Sequence, residues 1–169
     1  EGERPYIAYR KPSLDYPQAI NQNPYAICWI CAGETALYFF AQSKGEAKPV
    51  GFSVKYYYFF HLLEQVNYHL KNLAEIALER ENLTPKNLKL EHGGSLQELL
   101  HLMTRYGFVS SDDYRAPGNT DPKEIESYLR HLLAAAFARF KEVAREAKAN
   151  GSDASKVIYE EKEVWILNA

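Results

Sequence analysis

Two long stripes of apolar residues at three- and four-residue spacing commit most of this chain to helix. Tyr56, Phe59, Phe60, Leu63, Val66, Leu70, Leu73, Ile76 and Ala77 form the first stripe. Ile125, Tyr128, Leu129, Leu132, Leu133, Ala136, Phe137, Phe140, Val143, Ala144 and Ala147 form the second. A strand would alternate with period two, and no stretch here does so strongly. The expected fold class is therefore mainly α.

Local signals place the ends. The spacing predicts a first helix from about Cys28 to Gln42, stopped by Ser43-Lys44-Gly45. Ser53 is a cap for the second helix, which frays near Glu79-Arg80-Glu81-Asn82. Thr84 to His92 reads as loop. Ser95 caps a third helix from Leu96 to Tyr106, with Leu96, Leu99, Leu100 and Met103 on one side and Gly107 closing it. Asp121-Pro122-Lys123-Glu124 opens the fourth, which ends at Asn150-Gly151. A last helix from about Asp153 has Val157, Val164 and Leu167 as core. Pro5, Pro12, Pro17 and Pro24 prevent a long helix before residue 25, so residues 1–24 read as an extended arm whose tyrosines cover the body.

The chemistry concentrates where that arm meets the first helix, in Asn21-Gln22-Asn23-Pro24-Tyr25-Ala26-Ile27-Cys28-Trp29-Ile30-Cys31. A cysteine in a first helical turn lies near unpaired N–H groups and the positive end of the helix dipole, which favour the nucleophilic thiolate. The Gln22 amide can fold back beside that thiol. With the Cys28 backbone N–H it would form an oxyanion hole for acyl transfer. A dithiol reading stays open as well, because Cys28-Trp29-Ile30-Cys31 is a C-x-x-C motif at a helix start. Against it, no strand precedes the motif as a thioredoxin-like site requires. Cys31 reads best as a small buried apolar residue. No second Cys or His pair completes a four-ligand zinc site, so no metal is expected.

Gln22, a short loop and Cys28-Trp29 opening a long helix resemble the papain-like cysteine peptidases, and most closely their bleomycin hydrolase and aminopeptidase C branch. Three further blocks are similar to that branch in order: Phe52-Ser53 with Tyr56 to Tyr68, Gly93-Gly94-Ser95, and Tyr106-Gly107-Phe108-Val109. The charged helix from Pro122 and the Val164-Trp165-Ile166-Leu167 end are similar in placement to its helical insertion.

The resemblance implies the helical half of a papain-like α+β fold. Residues 25–169 would be the left-hand domain, with the insertion at about 120–169. It implies Cys28 as nucleophile, Gln22 as oxyanion donor, Trp29 as a cleft wall, and Gly93 and Gly94 as the backbone that pairs with substrate. Ala26 stands where the branch has glycine, and its methyl would crowd the pocket for the residue donating the scissile carbonyl. The resemblance further implies a peptide substrate, aminopeptidase-like activity, no cofactor and a homo-oligomer, a hexameric ring.

The family's catalytic His and Asn come from its other half. None of His61, His69, His92, His101 and His131 follows their pattern, and His92 alone, beside Gly93, is placed to reach the cleft. The base is therefore expected from a second chain. The alternatives are a fragment, or a non-catalytic helical relative that binds peptide or a partner.

Composition removes other classes. The net charge of −2 and pI near 6.3 supply no drive toward nucleic acid or anionic membrane. No apolar run approaches the roughly 20 residues of a membrane span. Two cysteines in 169 residues are too few for a secreted disulfide framework. Secreted papain relatives also carry a cysteine three residues before the nucleophile, where this chain has Tyr25. The expected setting is cytoplasmic.

Overall fold

A computed structural model describes residues 26–46, 51–79, 89–114 and 122–168; the side chains of Glu79, Pro122, Lys123, Leu167 and Asn168 are outside that description. The arm expected over 1–24 therefore lies outside the described residues, as do the fraying expected after Glu79 and most of the loop from Thr84.

Five helices make up the described structure: α1 (Cys28–Ser43), α2 (Val54–Glu79), α3 (Leu96–Tyr106), α4 (Pro122–Ala149) and α5 (Ala154–Asn168). The described residues hold no strand. Their one β feature is an isolated antiparallel bridge between Phe52 and Ser110.

The caps act as their chemistry requires. Ser53 Oγ accepts from Tyr56 N, Ser95 Oγ from Glu98 N, and Asp153 Oδ1 from Ser155 N at 2.9 Å. Gly107 closes α3 in the left-handed region (φ 78°), where a side chain would be strained.

Helix α2 is the axis, and every other helix touches it. Helices α4 and α5 form a hairpin against it. Leu129, Leu133, Ala136, Phe137, Phe140, Val143, Ala144 and Ala147 of α4 are buried there, together with Ile158 of α5. The face expected for α4 is thus the buried one, apart from exposed Tyr128. In α5 the expectation needs correction, because Val164 is exposed and Ile158 takes the core position.

Helices α1 and α3 cover the N-terminal half of α2. Tyr57 and Tyr58 are buried while Phe59 is exposed, so burial accounts for only part of the aromatic run. The Tyr56 and Tyr57 hydroxyls donate to Tyr106 O and Gly107 O at 2.7 and 2.8 Å, fastening the end of α3. Phe60 stacks on Tyr106 with ring centroids 3.9 Å apart. Helix α3 is also rotated from the expected face: Leu99 and Leu102 are buried, and Leu96 and Leu100 are about half exposed. Gly33 sets how closely Leu99 approaches α1. Any Cβ there would collide with Leu99, so the missing side chain lets Leu99 seat directly on α1.

Candidate active site

Cys28 is the first residue of α1 and is exposed, and both cysteines are free. Ile27, at the N-cap, offers no side-chain hydrogen bond, so no capping side chain of its own competes for the first-turn N–H groups. Ala26 is exposed just before it. Gln22 lies outside the described residues.

Trp29 turns inward from Cys28 and is buried. Its Nε1–H donates to His92 O at 3.0 Å, fixing the indole under the segment that leads into Gly93-Gly94. A Cβ on Gly94 would come within 2.6 and 2.7 Å of two indole carbons. Only glycine lets that backbone lie against the tryptophan. Four residues named from sequence therefore stand together: Cys28, Trp29, Gly93 and Gly94, both glycines being exposed.

Behind them is a polar network that sequence reasoning missed. His61 is 3 % exposed and stands edge-on to Trp29, with ring centroids 5.0 Å apart. Its Nδ1 meets Glu98 Oε1 at 2.6 Å, and its Nε2 lies 2.8 Å from both Gln65 Nε2 and Glu91 O. His61 is fully hydrogen-bonded, and its partners link α2, the 89–95 segment and α3. The signal available in sequence was Ser95-x-x-Glu98, which has capping-box spacing. Here the Glu98 carboxylate turns to His61 instead.

His92 is held by Tyr58 Oη at 2.6 Å on Nδ1 and by Glu126 Oε2 at 3.2 Å on Nε2. Burial alone would raise the Glu126 carboxyl, but Arg130 and His92 outweigh it and keep it below the ordinary value. As the sequence suggested, His92 lies near the site, and its carbonyl is what meets Trp29. Among the described residues no histidine is hydrogen-bonded to Cys28, and no three metal-ligating side chains converge.

Cys31 is buried, and its thiol is pushed up first by burial, then by the charges of Glu34 and Cys28. Those are the surroundings of a core thiol. Glu34 is itself only 7 % exposed, packs over Gly51, and has its carboxyl raised by desolvation. Among the described residues it has no hydrogen bond or ion pair.

The sequence matches the model of the peptidase C1-like family over residues 11–167. The chain belongs to this family. The structure of PepW from Lactobacillus rhamnosis has a similar fold, with a TM-score of 0.63 at 20% identity over 88% of this chain. The match spans 33% of the PepW chain, so this chain corresponds to about a third of that protein's length. No curated protein sequence matches. The chain is thus a papain-like peptidase relative, and its described part is a mainly helical portion of that fold. No described helix is long and apolar enough to cross a membrane.

Proposed function

We propose that the protein is a papain-like thiol peptidase of aminopeptidase type, of the bleomycin hydrolase and aminopeptidase C branch. Cys28 attacks the peptide carbonyl and forms an acyl-enzyme. The Cys28 N–H and the Gln22 amide hold the oxyanion, and Gly93-Gly94 aligns the substrate backbone along the wall made by Trp29. A histidine oriented by an asparagine, carried by a second polypeptide, takes and returns the proton. On this reading residues 1–24 are an arm, α4 and α5 form an insertion at about 120–169, and the protein assembles as a ring in the cytoplasm.

One observation carries the reading: an exposed cysteine opens a helix, and the buried tryptophan after it is clamped to an exposed Gly-Gly segment. That arrangement supports reading Cys28 as nucleophile beside a Gly93-Gly94 backbone that aligns substrate. The test is hydrolysis of aminoacyl and peptidyl amides by the intact assembly, with and without Cys28→Ala. Loss of at least about a thousandfold in kcat/KM is expected for removal of a nucleophile. Activity that survives the substitution would sink the mechanism, and an assembly with no turnover at all would leave a non-catalytic peptide-binding relative.

A further inference from the structure

A groove of about 750 Å³ reaches Gly93 and is lined by Gln65, Tyr68, His69, Lys89 and Glu98 among others. We propose that this groove is a subsite for a cationic group of the bound peptide, an ammonium or guanidinium, and that Glu98 is the residue that selects it. The inference rests on the reading of Cys28, Trp29, Gly93 and Gly94 as the peptide cleft.

Among the described residues, Glu98 is engaged through one carboxylate oxygen only. Gln65 is fixed by main chain at both ends: its Nε2 donates to Glu91 O at 2.7 Å, and its Oε1 accepts from Glu91 N at 2.6 Å. His61 Nε2 lies 2.8 Å from both Gln65 Nε2 and Glu91 O, and Nδ1 lies 2.6 Å from Glu98 Oε1. As a carboxylate, Glu98 accepts the Nδ1–H through Oε1 alone.

The second oxygen of that carboxylate lies beside Gly94. Glu98 Oε2 makes no hydrogen bond among the described residues, and a Cβ on Gly94 would stand 2.9 Å from it. Glycine at 94 leaves open both the indole face and this oxygen. The other charges at the groove cancel, since Lys89 Nζ lies 3.3 Å from Glu91 Oε1 with both side chains largely exposed. Lys89 is thus paired with Glu91, and Glu98 keeps an oxygen beside Gly94 with no hydrogen-bond partner among the described residues. Tyr68, 64 % exposed at the rim, adds an aromatic face of the kind that attracts cations. A peptide running along Gly93-Gly94 would bring an adjacent side chain or its own N-terminus over this oxygen. An N–H donor paired with a held carboxylate is the strong kind of hydrogen bond.

The test reads binding, so it is separate from turnover. Intact protein carrying Cys28→Ser is titrated by calorimetry with tetrapeptides differing only in charge. One arm compares arginine with citrulline and lysine with norleucine at each position. The other compares free with acetylated N-termini. About tenfold tighter binding is expected for the cationic member of at least one arm, and the arm that shows it identifies the source of the cation. Glu98→Gln keeps the acceptor for His61 Nδ1–H and should erase the difference while leaving Tm within a few degrees. Glu98→Asp, which keeps the charge, should retain part of it. Equal binding in both arms, or a preference that survives Glu98→Gln, overturns the subsite. Peptides that bind without charge preference would leave the cleft reading standing, and a failure of every peptide to bind would remove both.

Discussion

The two faces of α2 are built on opposite terms. Where α4 and α5 pack, the fully buried residues are apolar, from Leu129 to Ala147 with Ile158 filling in, and the Arg139–Glu161 ion pair lies between the two helices. Where α1 and α3 pack, the interior admits Glu34 and His61, and glycines at 33, 51 and 94 bring chain segments together closely. The same side leaves Phe40, Leu96 and Leu100 half exposed. One face contributes stability chiefly by apolar burial. The other takes ionisable groups into its interior, and it carries the proposed site. Active-site halves commonly give up local stability in this way.

The largest effect that would break this contrast is expected in the hairpin. Phe140 is fully buried, so Phe140→Ala should cost about 3–5 kcal/mol in urea unfolding. A loss under about 1 kcal/mol would mean that α4 is not a core element. Gly94→Ala comes next. The added methyl meets a rigid, buried indole, so about 1–3 kcal/mol of strain is expected, together with weakened peptide binding. Equal stability and binding would show that the Trp29 clamp is slack.

Glu34 sharpens the contrast with a pH signature. Burial raises its folded-state carboxyl above the unfolded value. Its contribution to stability is therefore fully present below the unfolded value and is lost as pH rises through the folded one. At neutral pH the buried charge is a cost, so Glu34→Gln should raise Tm by about 2–4 °C. That gain should vanish toward pH 4, where both side chains are neutral. A Tm difference independent of pH would contradict the assignment. The smallest effect belongs to the open surface, where Phe40→Ser and Leu100→Ser should each fall within about 0.5 kcal/mol of the parent.

What was legible beforehand depended on the range of the interaction. Helix limits came from residues within four positions of each other: Ser53 with Tyr56, Ser95 with Glu98, Gly107 with Met103. The same holds for Cys28, whose place in a first turn is a local fact. The core face of α4 was legible because a long stripe averages over many residues. Helix α3 has a clear apolar side, but how deep each leucine on it sits was set by tertiary contacts such as Leu99 seating on Gly33 of α1. Val164 and Ile158 exchanged roles for a like reason, since α5 had weak amphipathy of its own and took its facing from the α2–α4 pair.

The sequence by itself determined the helical class, the helix limits and the cysteine that opens α1, because period, caps and turn residues act over one or two turns. Only the tertiary structure decided that Trp29 would be clamped by a carbonyl 63 residues away, or that His61 would meet Glu98 across 37 residues. Nothing in a local pattern encodes such pairings. They exist because packing α1 against α2 buried Trp29 and His61, whose ring nitrogens then found hydrogen-bond partners on the 89–95 segment and α3.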